Sequence, residues 1–445
     1  MTNTNETSRR CFLQAAAVST AAPYVISASA MGAGGQPGAN DRIRVGLIGC
    51  GGMGRANLNN CASQADVEVT GACDVWKERR DAVVAQYPTA KPYSDYREML
   101  QQDDIDAVII ATPPHWHCLL AVDACKAGKD IYLQKPMTRH LAESFAVKNA
   151  VRKHDVICQV GTQIHASENY RRVVELVRSG NLGKISVARA FSVMNQGTEG
   201  IGNSPNGAPP EGLDWENWLG PLPERAFNPL IVKNAYENCS FMDSSGGWTP
   251  GMAPHLIDLP FWALDLGFPT MASCSGGRFT LSDAGDAPDM QEVVWQFPDV
   301  TLTWTMSLVS SFGFDFGRGA RERRLGIYFH GVRGTVFSDY GKHEIVPEGD
   351  WMKDAVTPEP SIPSSPGHER EWLDCIKSRK QPSCNPEYHC KIDAAIELAN
   401  LSMQLGRSIR FDPKAECIVD DDAATKLATP VYRAPWKFPA EYIDG

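Results

Sequence analysis

This chain of 445 residues has no C-x-x-C pair among its thirteen cysteines, and their number is odd. A disulfide framework or a zinc knuckle needs regular, clustered spacing, so neither is expected, and no metal ligand set is assigned. Most of these cysteines read as small buried apolar residues. No stretch reaches the ~20 apolar residues that span a bilayer, so stable membrane insertion is not expected. Long runs of one charge are missing too: 53 acidic and 43 basic residues are interspersed, and the net charge of -10 argues against a nucleic-acid surface. What is present is 43% hydrophobic and 22% charged residues, the balance of a soluble globular protein. The length suits about two domains, and small-molecule chemistry is the function class left standing.

The first forty residues stand apart from the fold. Ser8-Arg9-Arg10-Cys11-Phe12-Leu13 puts two arginines ahead of a small-residue apolar stretch that closes on Ala28-Ser29-Ala30, followed by a glycine-rich spacer. This order resembles a twin-arginine export signal and implies a periplasmic protein. That pathway carries folded proteins, so a cofactor bound in the cytoplasm would travel with the chain.

Residues 41–160 read as a dinucleotide-binding domain. IRVGLIG is an apolar run suited to a buried parallel strand, and it ends at Gly49-Cys50-Gly51-Gly52-Met53-Gly54, a G-x-G-x-x-G. A helix-compatible segment follows, then VEVTGACD, which closes on Asp74, 20 residues after Gly54. In such a unit the first glycine permits the tight turn, the second admits a pyrophosphate close to the backbone, and the third lets helix and strand touch. The phosphates lie on free N–H groups at the helix N-terminus. Asp74 suits the ribose hydroxyls and repels a 2′-phosphate, which favours NAD over NADP; Lys77, Arg79 and Arg80 soften that preference. DIDAVIIAT ends at Thr112-Pro113 and KDIYLQKP at Gln134-Lys135, so the ends of four strands converge on one cofactor. Gly49, Gly51, Gly52, Met53, Gly54, Asp74, Thr112, Pro113, His117, Gln134 and Lys135 are the candidate cofactor residues. His115-x-His117 lacks a third metal ligand and reads as a loop against the nicotinamide side.

Residues 161–445 change pattern. ENYRRVVELVRSGNLGKI is an amphipathic helix with a glycine stop, leading into the strand ISVARAFSV. RFTLS, QEVVWQF, TLTWTMSLV, RLGIYFHG and GTVFSD alternate as short strands, predicting an open, mostly antiparallel sheet backed by helices. The open face of such a sheet commonly becomes a subunit interface, so a homo-oligomer, dimer or tetramer, is expected. The tryptophans of EGLDWENWLGP, Trp215 and Trp218, either stack on a sugar ring or pin a long loop. Two helices separated by a proline-containing loop precede a proline-rich tail expected along the surface. In GGWTPGMAPHLID, His255 opens a helix and is either catalytic or a core histidine.

G-x-G-x-x-G, Asp74, ATPPHWH, QKP, VGTQ and the G-G…H-x-x-D helix start together resemble the glucose-fructose oxidoreductase/inositol dehydrogenase (Gfo/Idh/MocA) family over roughly residues 41 to 445. The resemblance implies an α/β protein, a Rossmann domain with a doubly wound parallel sheet followed by an α+β domain with an open sheet. It also implies NAD(P)-dependent hydride transfer at a secondary alcohol of a sugar, glycoside or cyclitol. Lys135 matches the lysine of the family's E-K-P motif and His255 its active-site histidine; both are expected to be catalytic. Gln163, Asp258 and Trp215 are candidate substrate residues. Gln134 stands where the family has Glu, and Gly251 where it has the aspartate four residues before the histidine. His255, with a free value near ~6.5, is the convenient base, and Lys135 orients the hydroxyl or shares its proton. Asp258, one turn on, is either a substitute for the missing aspartate or a helix-surface carboxylate. Two other readings stay open: a redox-neutral glycosidase or sugar–sugar oxidoreductase with a tightly held cofactor, and a sugar-binding protein without activity.

Overall fold

The structure, a computed structural model, describes residues 37, 38, 41–311 and 324–443. The expected export signal lies outside the described residues. Strands β1 (Ile43–Ile48), β2 (Val67–Cys73), β3 (Lys91–Tyr93), β4 (Ala107–Ile110), β5 (Asp130–Leu133) and β6 (Cys158–Val160) form one sheet in the order β3-β2-β1-β4-β5-β6. All pairs in it are parallel. The apolar runs are continuous rather than alternating because helices cover both faces, and β4 and β5 are buried at every position. The strand order reverses between β1 and β4, so a crevice opens beyond the carboxyl ends of these strands, where Gly49 and Thr112 stand.

The second sheet adds β7 (Ile185–Val193), β8 (Met271–Gly277), β9 (Met290–Gln296), β10 (Thr301–Ser307), β11 (Leu325–Gly331), β12 (Gly334–Ser338), β13 (His343–Pro347), β14 (Ile409–Asp412) and β15 (Cys417–Ile418). Its order among the described residues is β13-β12-β11-β7-β10-β9-β8-β14-β15, with β7–β10 parallel and the other pairs antiparallel. On β9, Gln291, Val293 and Trp295 face the core while Glu292 and Val294 face out, the period-2 pattern of a sheet open on one side. The helix Pro386–Leu405 backs the closed face, and Trp295 donates its indole N–H to the Ala395 carbonyl at 2.6 Å. A buried tryptophan removes about 150–250 Å² from water, worth about 4–6 kcal/mol, so Trp295 and Trp304 decide where this layer packs.

One expected strand is absent. RFTLS is irregular because the amides of Phe279, Thr280 and Leu281 all turn to the Asp289 carboxylate at 2.7–3.1 Å, leaving no ladder to extend. The strand lies just before it, in Met271–Gly277, whose small residues carry a weak sequence signal.

The division along the chain is not the division in space. The helix His368–Ser378 returns to the first domain, placing Trp372, Leu373 and Ile376 in one buried cluster with Val45 and Leu47. Arg370 and Lys377 meet Asp66 at 2.8 and 2.5 Å; burial opposes ionisation, but these two partners bring its carboxyl down to about 2. The tail, too, packs on the first domain. Tyr432 donates to Glu143 at 2.6 Å, Trp436 packs edge-on against Trp116, and Asn149 holds the Tyr442 carbonyl at 2.9 Å.

Candidate active site

The glycines after β1 are imposed by close approach. Gly49 has φ +93°, and a Cβ there would meet the Ala111 carbonyl carbon and the Thr112 nitrogen at 2.7 Å. A Cβ on Gly54 would sit 2.0 Å from the Gly49 carbonyl oxygen, which is why the helix Gly52–Ala62 can start hard against the strand. Gly51 precedes it in extended geometry, and no side chain caps the helix, so its first amides remain for a ligand. Gly52 meets nothing within 4 Å and Met53 is exposed beside it, so the side-chain identity at these two positions is not fixed by the protein's own packing.

Asp74 closes the cradle. One carboxylate oxygen accepts the Cys50 N–H at 2.7 Å and the other the Trp76 N–H at 2.8 Å. Burial pushes this carboxyl above the usual aspartate range, against those two amide bonds. Each oxygen keeps a further lone pair for a ribose hydroxyl. The basic residues nearby are already engaged: Lys77 pairs with Asp81, Arg80 with Asp81 at 3.2 Å, and Arg79 stacks over Trp76 and donates to the Val232 carbonyl at 2.6 Å. None of these three is left free to neutralise a 2′-phosphate, which favours NAD.

The cleft above Asp74 is lined by Gly49, Gly51, Arg79, Thr112, Pro113 and Trp218. Of the two tryptophans of EGLDWENWLGP, Trp218 is the one at this cleft. The Pro/Gly-rich excursion crosses back to the first domain: Leu213 bridges Trp76, the Lys77 amide donates to the Gly212 carbonyl at 2.8 Å, and the Asp214 amide to Val75 at 3.0 Å. The short helix Trp215–Leu219 then lays Trp218 against the cleft. Gly220 follows at φ +51° with Trp116 so close that a Cβ would lie 2.1 Å from its ring. Trp215 is therefore a loop pin and not a sugar platform: it stacks on Trp218 at 4.8 Å and donates its indole N–H to Arg225 at 3.0 Å.

Two cofactor candidates move to supporting roles. His117 is buried with its ring nitrogens 2.8 Å from the Pro136 carbonyl and 2.9 Å from that of Thr112, so it ties the ends of β4 and β5 together and does not face the cleft. Gln134 is buried as well: it donates to Asn57 at 2.7 Å and accepts the Lys135 N–H at 3.1 Å, bracing the helix Gly52–Ala62. His115 lies between the Ser244 and Trp218 carbonyls, and burial drops it to about 3, so it too is a strut.

Lys135 leaves the end of β5 and reaches the other domain, donating from Nζ to the Gly251 carbonyl at 2.9 Å. Gly251 lies in the turn Trp248–Met252, followed at once by the helix Pro254–Ala263 with His255 in its first turn. Thr249 fixes this segment to the sheet, donating to Gln291 at 2.6 Å and accepting the Trp304 indole N–H at 3.1 Å. The His255 ring is part-exposed, makes no hydrogen bond among the described residues, and faces the Tyr340 ring edge-on at 6.2 Å. Burial first, then the neighbouring Lys135 charge, lower His255 to about 3, far from the free value expected of it. Lys135 is also held below the usual lysine range, by burial.

Asp258 neither hydrogen-bonds His255 nor reaches the surface. It is fully buried, accepting from His165 Nε2 at 3.2 Å and from the Tyr388 hydroxyl, with its second oxygen unpartnered. It cannot touch substrate; it acts on His255 only through its charge. Cys384 joins it, the donor atoms of His165, Asp258 and Cys384 lying within 4.8 Å of one another, and the imidazole–carboxylate hydrogen bond accounts for the pair at its centre. Gln163 stays exposed at the start of the turn Gln163–Ala166 that carries His165. Proximity to VGTQ was the one signal that could have found His165; Tyr388, 130 residues from Asp258, had none.

Residues 43–162 match the Gfo/Idh/MocA oxidoreductase family, NAD-binding Rossmann fold, and residues 317–438 match that family's C-terminal alpha/beta domain. The myo-inositol 2-dehydrogenase of Thermotoga maritima is 27% identical over 150 residues, 34% of this chain and 45% of its own length. A glycosyl hydrolase family 109 protein of Shewanella baltica is 29% identical over 201 residues, 40% of this chain and 44% of the relative. The chain thus spans less than half the length of these curated relatives. The solved WlbA dehydrogenase from Bordetella pertussis, in complex with NADH and UDP-GlcNAcA, shares the fold with a TM-score of 0.62 at 18% identity, over 83% of this chain and 99% of that one.

Proposed function

Since the chain belongs to the Gfo/Idh/MocA oxidoreductase family and carries its NAD-binding Rossmann domain, we propose that it transfers a hydride to or from a secondary alcohol of a sugar, glycoside or cyclitol. Gly49, Gly51, Gly54 and the helix N-terminus would hold the pyrophosphate of NAD, and Asp74 the adenosine ribose. NAD, when bound, supplies the hydride acceptor or donor. The observation that carries the reading is the bridge from Lys135 Nζ to the Gly251 carbonyl, which joins the cofactor strand end to the helix of His255.

Alcohol oxidation needs a group that takes the hydroxyl proton, and a useful base has a pKa near the working pH. His255 at about 3 is too weak for that task. Lys135, lowered from the lysine range by burial, is the better proton acceptor, and the neutral His255 ring orients the hydroxyl by a hydrogen bond. This exchanges the roles the sequence suggested. A screen of sugars, glycosides and cyclitols with the purified protein, read by NADH absorbance and product analysis, tests the reading; no hydride transfer to any member counts against it.

The strap formed by residues 210–222 favours a second reading, a redox-neutral cycle with a tightly held cofactor. Trp218 lines the cofactor cleft, and Arg433 of the tail donates to the Leu222 and Gly220 carbonyls at 2.8 and 3.0 Å, so the strap that carries Trp218 is tied down by the tail. Export by the twin-arginine route, which we also propose, suits such a cofactor. NAD that copurifies and never accumulates as free NADH during turnover supports this cycle. The exposed outer positions of the second sheet, such as Val294, support the homo-oligomer we propose alongside it.

A further inference from the structure

Gly251 stands where an aspartate was expected, and the space its side chain would take is filled. A Cβ at Gly251 would lie 2.6 Å from the Cys239 sulfur. Cys239 follows the short helix Ala235–Asn238, and its Sγ donates to the Ala235 carbonyl at 3.2 Å in a solvent-exposed bond. The Gly251 carbonyl, on the same residue the sulfur abuts, holds Lys135 Nζ at 2.9 Å. Lys135 and Cys239 feel each other's charge, and the Lys135 charge also lowers His255. Among the described residues Lys135 Nζ forms no ion pair with a carboxylate; its partner is the Gly251 carbonyl.

We propose that Cys239 is a specificity-determining residue of the substrate pocket, a thiol wall in place of a carboxylate, selecting substrates that carry no hydroxyl on the carbon facing it. This rests on the oxidoreductase reading above. A carboxylate at 251 would accept hydrogen bonds from a vicinal diol, whereas a thiol whose S–H is already given to Ala235 is a weak acceptor. A hydroxyl buried against that sulfur goes unpaired, and sites discriminate by about 10- to 100-fold or more on such a loss.

The test uses the full-length protein saturated with NAD, as wild type, Cys239→Ala, Gly251→Asp and Gly251→Asp/Cys239→Ala. Melting temperature needs no turnover: Gly251→Asp should lower it, and Cys239→Ala should recover at least half of that drop by vacating the overlapping volume. The substrates are glucose, galactose and myo-inositol with their monodeoxy counterparts. Wild type should turn over a deoxy member at least as well as its parent, and the double variant should shift the kcat/KM ratio toward the parent by about tenfold. Additive melting shifts, or an unchanged substrate ratio, overturn the proposal. If wild type passes hydride to no member while NAD is bound, the oxidoreductase reading fails by itself, and the melting cycle still decides whether the sulfur fills the position-251 volume.

Discussion

In the dinucleotide cradle, Gly49, Gly54 and Asp74 fall within one strand–helix–strand unit, and what they do follows from backbone geometry: a positive φ, a 2.0 Å approach, two amides on a carboxylate. In the pocket opposite, Lys135, Cys239, Gly251 and His255 come from three separate stretches and meet through side chains. The first kind of site tolerates no change of shape and leaves little room for variety in its ligand. The second can be rebuilt by single substitutions, and here the Cys239 sulfur stands where a Cβ at position 251 would go.

The hardest break of the cradle is Gly54→Val. With the Gly49 oxygen only 2.0 Å from a Cβ, strand and helix must part, and NAD binding by calorimetry should fall about 1000-fold or vanish. Gly52→Ala, two residues earlier in the same helical turn, meets no protein atom within 4 Å and should leave affinity within about threefold, which sharpens the claim that packing and not glycine content builds the cradle. Across the cleft the opposite dissociation is expected. Lys135→Met should cut turnover at least about 1000-fold while NAD affinity stays within a few-fold, and His255→Asn should cost about 100-fold.

The pH profile separates the two pocket residues. His255, at about 3, is uncharged throughout the neutral range, so kcat/KM should show no inflection near the free histidine value. Activity should instead fall on the acid side as Lys135 gains its proton, at a pH below the free lysine value of 10.5 and coupled to His255 and Cys239. An inflection near ~6.5 that disappears in His255→Asn would return the base to His255.

The smallest effect concerns the scaffold. Burial would raise the Glu143 carboxyl, but His140, Arg139 and Tyr432 bring it to about 2 from 4.5. A depressed carboxyl contributes stability above its unfolded value that is lost as pH falls through the folded one. Glu143 should therefore contribute about 2–3 kcal/mol above pH ~4.5, fading toward pH ~2, and Glu143→Gln should lower the melting temperature at neutral pH and flatten that acid dependence.

Most of the first domain was legible because its signals are local. IRVGLIG, the glycines and Asp74 each act on neighbours in sequence, and the strands ended where they were expected. QEVVWQF and TLTWTMSLV were legible by period-2 alternation. RFTLS misled because its alternation is that of a strand while Asp289, ten residues away, takes the amides. In the site, Lys135 and His255 came from motifs. Cys239 and Tyr388 did not, since each acts on a partner elsewhere in the chain and neither sits in a pattern. The opposite error fell on His117, Gln134, Asp258 and Trp215: their residue types suit ligand contact, yet burial and hydrogen bonds commit them to the protein.

The most direct measurement follows deuterium from 4-deuterated NADH into the product of a carbonyl-sugar panel, with wild type and Lys135→Met compared at equal NADH occupancy. Label should appear in a secondary alcohol made by the wild type and be lost from the Lys135→Met product. Transfer that persists undiminished without Lys135, or no transfer by wild type with the dinucleotide bound, would contradict a pocket built around that lysine.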